Sequence, residues 1–168
     1  LRVNGQIAML NILLVAALWL PLSAHAAKNI LVFGDSLSAG YGIAVAESWP
    51  ALLQQELARS HPGYRMMNAS ISGETAQGGR QRIAAALREH RPAVVIVELG
   101  ANDGLRGYRV ADIESNLGKI IASARDARAK VLLVGMRLPP NYGEPYVAQF
   151  GKMYPKLAKK YRVRLLPF

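Results

Sequence analysis

From Asn29 onward the chain alternates short unbroken apolar runs with stretches in which apolar residues recur every third or fourth position. Ile30 to Phe33 shows no polar alternation, the pattern of a strand buried on both faces of a parallel sheet. Ser48-Trp-Pro-Ala51 predicts a helix start with Ser48 as cap and Pro50 in the first turn. Trp49, Leu52, Leu53 and Leu57 follow at helical spacing, and His61-Pro62-Gly63 ends the helix. Tyr64 to Ala69 predicts a second strand, and a helix from about residue 78 to 89, with Ile83 and Leu87 on one face, runs to the stop at Pro92. Ala93 to Leu99 predicts a third strand, uniformly apolar except for Glu98. Val110, Ile113, Leu117, Ile120, Ile121 and Ala124 form one helical stripe. Val131 to Val134 is a fourth strand, and Arg137 to Pro145 a long loop. The next helix sets Val147, Phe150, Tyr154 and Leu157 in register with a kink expected at Pro155, and Val163 to Phe168 opens a fifth strand.

Strands alternating with helices at this spacing imply right-handed βαβ units. The expected fold is therefore α/β, a three-layer α/β/α arrangement around a flavodoxin-like, doubly wound parallel sheet. With 168 residues, 51% of them apolar, the chain is long enough for one domain with its own core. Residues 1–26 stand apart. Arg2 precedes an apolar run from Ile7 to Leu20, followed by Pro21 and by Ala24-His25-Ala26, a small-x-small cleavage pattern. This reads as a secretory signal that leaves residues 27–168 as the mature domain, with no stable membrane span after cleavage; the alternative is an uncleaved anchor. There are no cysteines, so an exported domain must rely on its core, which fits a periplasmic location.

Lysine and arginine outnumber acids 21 to 11, a formal charge of +10. The cations are scattered singly through helices and loops, and the densest cluster, Lys152 to Arg164, belongs to one amphipathic helix and its exit. No nucleic-acid motif accompanies them, so a nucleic-acid partner is not expected.

The chemistry gathers at the strand exits. Gly34-Asp35-Ser36 follows the first strand, Ser72-Gly73 the second and Gly100-Ala101-Asn102-Asp103 the third, all on the edge where open α/β sheets carry their ligand crevice. A serine there, at the positive end of the next helix, suits an attacking hydroxyl, although a plain helix cap at Ser36 has the same local look. Acyl transfer also requires preorganised donors about 3 Å from the carbonyl oxygen. The backbone N–H groups of Ser36 and Gly73 and the side-chain amide of Asn102 make such a set. Turn roles for Gly73, Asn102 and Asp103 explain each residue singly but not their coincidence at one edge.

These blocks, Gly34-Asp35-Ser36-Leu37-Ser38, Gly73 and Gly100-Ala101-Asn102-Asp103, resemble those of the SGNH, or GDSL-type, hydrolases. Gly104-Leu-Arg-Gly107, Arg137-Leu-Pro139 with Asn141-Tyr-Gly143, and Tyr154-Pro-Lys-Leu-Ala158 are similar to the periplasmic branch of acyl-CoA thioesterases, proteases, lysophospholipases and arylesterases. The resemblance spans about Asn29 to Phe168. It implies an ester hydrolase with Ser36 as nucleophile, an oxyanion hole of Ser36, Gly73 and Asn102, and neither metal nor cofactor.

The family's closing block, an aspartate with a histidine three residues later, has no counterpart here. His25 falls in the signal, and His61 and His90 follow helices and precede strands, about 17–20 Å from Ser36 across the sheet. The expectation is that the chain is cut within the fifth strand, that the missing piece carries the base, and that the truncated chain is a poor catalyst. Leu37, Tyr41, Leu105, Tyr108, Leu138, Pro139, Pro140 and Tyr142 offer apolar loop surface for an acyl ester or thioester substrate. Arg106 and Arg137 meet an anionic head group or face solvent. Two other readings remain at this point: a carbohydrate acetylesterase or acyltransferase of the same superfamily, and a non-catalytic anion-binding module.

Overall fold

The computed structural model describes residues 27–168; the expected signal segment, 1–26, lies outside the described residues. Five parallel strands, β1 (Lys28–Gly34), β2 (Tyr64–Asn68), β3 (Val94–Glu98), β4 (Lys130–Val134) and β5 (Arg164–Leu166), lie in the order β2-β1-β3-β4-β5. This is the doubly wound order in which the chain reverses direction between β1 and β3, opening a crevice at the carboxyl ends of those strands. The connecting helices are α1 (Ser36–Ala39), α2 (Trp49–Ser60), α3 (Ala76–His90), α4 (Ala101–Leu105), α5 (Val110–Asp126) and α6 (Glu144–Tyr161).

The unbroken apolar strands are buried as their pattern requires: Leu31, Val32, Phe33, Val95 and Val97 are wholly enclosed. One sheet face packs on α3, α5 and α6 through Ile83, Leu117, Ile120, Phe150 and Tyr154. Among the described residues the other packs on α2, around Ile30, Val32 and Ile96. Because α2 reaches only the β1–β2 side, an apolar trough of about 400 Å³ remains between it and β3–β5, walled by Trp49, Leu53, Leu132 and Leu166, with Glu98 at its end. Leu52, expected on the packed side of its helix, is 53% exposed and does not line that trough.

Several boundaries differ from the sequence expectation. The third helix starts at Ala76, two residues early, because the Thr75 side chain caps it by accepting from the Gly78 N–H. Ser48 occupies the N-cap position of α2, but its hydroxyl donates back to Val45 O instead of capping. The sixth helix is assigned as one element from Glu144 to Tyr161 with Pro155 inside it. Phe168 is not within the fifth strand. Pairing ends at Leu166, since Pro167 has no N–H to give to the ladder.

Candidate active site

Three strand exits meet at the carboxyl edge. β1 and β3 end level, with Gly34 opposite Glu98, and the chain leaving β2 stays beside β1, its Ala69 and Ile71 N–H groups donating to Val32 O and Gly34 O. Ser36, half-buried, is the first residue of α1. The cap of that helix is Asp35, not Ser36: the Asp35 carboxylate accepts from the Leu37 N–H at 3.1 Å, which leaves the serine hydroxyl free of a capping role. Among the described residues no hydrogen bond engages that hydroxyl.

Gly73 is the third residue of a turn closed by the Glu74 N–H on Ile71 O. Its φ of +79° lies in the left-handed region that favours glycine, and a Cβ there would make only an ordinary contact with the Arg106 guanidinium at 3.8 Å, so backbone conformation and not crowding selects the residue. Asn102 lies in the first turn of α4, a short helix. Its amide donates one hydrogen to Asp35 Oδ2 at 3.1 Å. An amide nitrogen carries two hydrogens, so the second remains available to an incoming oxygen. Gly100 precedes α4 at φ +109°, and a Cβ there would come within 2.6 Å of the Tyr154 hydroxyl, which donates to Leu99 O.

Residues that sequence reasoning did not single out hold these three in place. Glu98, buried at 3% exposure, accepts from the Ser38 hydroxyl at 2.5 Å and, more weakly, from the Asp35 N–H at 3.4 Å. Ser38 in turn accepts from the Trp49 indole N–H, and its carbonyl accepts from the Asn68 amide. Burial pushes the Glu98 carboxyl up to about 7; the Ser38 hydrogen bond opposes this and the nearby Asp35 charge adds to it. Burial also raises Asp35 and Asp103, each partly offset by hydrogen bonds it accepts. Asp103 joins the elements that carry Asn102 and Gly73 by accepting from the Ala76 N–H at 2.8 Å. The signal for Glu98 is visible in sequence, as the one charged residue in an otherwise apolar strand.

Arginines hold the Gly73 side. Arg82 pairs with Glu74 at 2.5 Å, donates to Ala69 O and stacks on Phe33 at 3.9 Å. Arg106 faces solvent, one of the two placements expected for it, and from there donates to Gly73 O at 3.1 Å. Arg137 sits 5.9 Å from the Phe168 ring. The expected acyl surface divides: Leu138 is buried and packs against Gly104, whereas Leu37, Tyr41, Leu105 and Tyr108 are exposed. His61 and His90 lie at the opposite edge as expected; His61 ends α2, and the His90 carbonyl accepts from Asn29 at the start of β1. Among the described residues no helix is long and apolar enough to cross a membrane.

Residues 32–168 match the GDSL-like lipase/acylhydrolase family. The chain is 48% identical over 143 residues to esterase TesA of Pseudomonas aeruginosa, covering 85% of this chain and 71% of that protein. It is 47% identical over 145 residues to thioesterase 1/protease 1/lysophospholipase L1 of Escherichia coli K12, covering 86% and 68%. A crystal structure of TesA superposes with a TM-score of 0.82 at 47% identity, covering 84% of this chain and 78% of that one.

Proposed function

The chain belongs to the GDSL-like lipase/acylhydrolase family as a serine esterase of the TesA type, and from that premise we propose that it cleaves acyl esters and thioesters through an acyl-enzyme on Ser36. The observation that carries this is the convergence of Ser36, the Gly73 turn and the Asn102 amide at one sheet edge, with a spare amide hydrogen on Asn102. In the first step Ser36 Oγ bonds to the carbonyl carbon while its proton passes to a base. The carbonyl oxygen becomes an oxyanion facing the Ser36 and Gly73 N–H groups and the Asn102 amide. The alcohol or thiol then leaves with a proton, and water releases the acid by the reverse sequence. No step calls for a metal or cofactor.

Neither His61 nor His90 can reach Ser36 across the sheet. In our reading the base is the histidine of an Asp-x-x-His segment beyond Phe168, and without it the 168-residue chain hydrolyses esters poorly. The reading extends to residues 1–26 as a cleaved signal and to a periplasmic location. Fluorophosphonate labelling of the full-length protein tests the nucleophile. Ser36→Ala abolishes both labelling and ester hydrolysis with an unchanged circular dichroism spectrum; turnover at the wild-type rate in that variant overturns the assignment.

A further inference from the structure

Glu98 ends β3 opposite Gly34, which closes β1 and opens the Gly34-Asp35-Ser36 turn. It is 3% exposed, and the acyl-transfer steps do not use its carboxyl. One oxygen collects both of its hydrogen bonds: Oε2 accepts from the Ser38 hydroxyl at 2.5 Å and from the Asp35 N–H at 3.4 Å. Oε1 is buried without a partner among the described residues, and burial pushes the carboxyl up to about 7. An apolar side chain would fill this strand end more favourably, since a buried carboxyl with an unsatisfied oxygen is destabilising. Packing alone therefore does not account for an acid at this position.

The surroundings of Gly34 show what the carboxyl controls. A Cβ on Gly34 would come within 2.6 Å of Glu98 Oε2 and 2.8 Å of Ser38 Oγ, so crowding demands this glycine where φ demands Gly73. The peptide unit between Gly34 and Asp35 is held at both polar ends: its N–H donates to Glu98, and its carbonyl accepts from the Ile71 N–H at 3.1 Å. Ile71 O in turn accepts from the Glu74 N–H and closes the turn that carries Gly73. One peptide plane thus joins Glu98, the Ser36 turn and the Gly73 turn. Ser38 adds a second hold. Its oxygen accepts from the Trp49 indole N–H at 3.2 Å, which directs the hydroxyl hydrogen to Glu98, and its carbonyl accepts from the Asn68 amide at 2.8 Å.

We propose that Glu98 is a positioning residue of the active site: by accepting from Ser38 and from the Gly34–Asp35 peptide, it fixes the orientation of the Ser36 and Gly73 N–H groups that face the oxyanion. The inference rests on the reading of Ser36 as the nucleophile. Glu98 touches no reacting atom, and its effect travels through one peptide and one hydroxyl. Backbone donors stabilise a developing oxyanion only when they are aimed before the reaction, so loss of this brace appears in kcat rather than in KM.

Hydrolysis of p-nitrophenyl butyrate by the full-length enzyme tests it. Glu98→Ala lowers kcat at least about tenfold and changes KM by about twofold or less, the split expected of misaimed oxyanion donors. Glu98→Gln, which keeps an acceptor oxygen for Ser38, restores kcat to within about threefold of the wild type. Ser38→Ala leaves the carboxyl but removes its shorter hydrogen bond, and it lowers kcat with the same split; should Glu98→Ala not fold, this variant carries the test. Ile83→Ala, which opens a cavity in the core beneath α3, controls for stability and keeps its kcat below its melting temperature. Unchanged kcat in folded Glu98→Ala or Ser38→Ala, a Glu98→Gln variant as slow as Glu98→Ala, or a loss confined to KM overturns the inference. Hydrogen exchange separates it from the identity of the nucleophile. The Ile71 amide, held by Gly34 O, exchanges faster in Glu98→Ala than in Glu98→Gln, and equal exchange in the two overturns the positioning role. Ester hydrolysis surviving in Ser36→Ala would refute the nucleophile, while the exchange difference would still uphold the hold of Glu98 on this peptide.

Discussion

Under the turn that carries Ser36 the bracing groups are buried carboxyls, Asp35 and Glu98, whereas the turn that carries Gly73 is held by two guanidiniums, Arg82 packed on Phe33 and Arg106 at the surface. The contrast is one of which charge can be discharged. A carboxyl removed from water gains a proton near neutral pH, as Glu98 does with its pKa of about 7, so that side can change its hydrogen-bonding state without any change of shape. A guanidinium keeps its charge at every ordinary pH and can only be lost by mutation. The Ser36 side is thereby sensitive to protons and the Gly73 side to truncation, and Asn102, tied by its side chain to Asp35 and through neighbouring Asp103 to α3, is where the two meet.

The largest effect tests that meeting point. In the full-length enzyme Asn102→Ala removes a donor that both sides aim, and kcat falls by about 10²–10³ with a smaller change in KM. A loss appearing only in KM would make Asn102 a ground-state binding residue. Next, Arg82→Ala strands Glu74, whose side chain is 12% exposed, and leaves Ala69 O without its donor. A destabilisation of about 3 kcal/mol is expected by denaturant titration, whereas Glu98→Gln, which keeps an acceptor for Ser38, costs far less at neutral pH. Equal losses in the two variants would erase the contrast.

The pH dependence follows from the sign of the carboxyl shifts. Asp35, Glu98 and Asp103 are all raised in the folded protein, so the folded state holds protons that the unfolded chain has released. Their contribution to stability is fully present below the unfolded values and is lost as pH rises through the folded ones. For Glu98 the window runs from 4.5 to about 7 and is worth up to about 3 kcal/mol. Stability measured across this window falls with rising pH, and Glu98→Gln flattens the slope; an unchanged slope in that variant would remove Glu98 from the account. The smallest effect is at Arg106, whose bond to Gly73 O is solvent-exposed. Arg106→Ala lowers kcat by about fivefold or less, consistent with one hydrogen bond of roughly 1 kcal/mol. A loss matching that of Asn102→Ala would show that the Gly73 turn depends on the outer guanidinium more than on the buried one.

What the sequence determined by itself is whatever depends on neighbours along the chain. Apolar runs such as Ile30 to Phe33 and Ala93 to Leu99 have no polar alternation because both sheet faces are covered, and that alone led to parallel strands and to Ser36, Gly73 and Asn102 at one edge. The helix stripe from Val110 to Ala124 is buried as its spacing requires. Tertiary structure decided what depends on a partner far away. Asp35 rather than Ser36 takes the cap, and the same carboxylate reaches Asn102, 67 positions on. Glu98 finds Ser38, 60 positions back, and Arg106, exposed as one of its expected placements had it, also reaches the carbonyl of Gly73, 33 positions back. Leu52 lies in solvent although it shares the helical spacing of Trp49, Leu53 and Leu57, so spacing alone did not settle which of them would pack on the sheet. Periodicity records which side of an element is buried, but the hydrogen-bond partner of a polar side chain is chosen by the geometry of strands that meet only after folding.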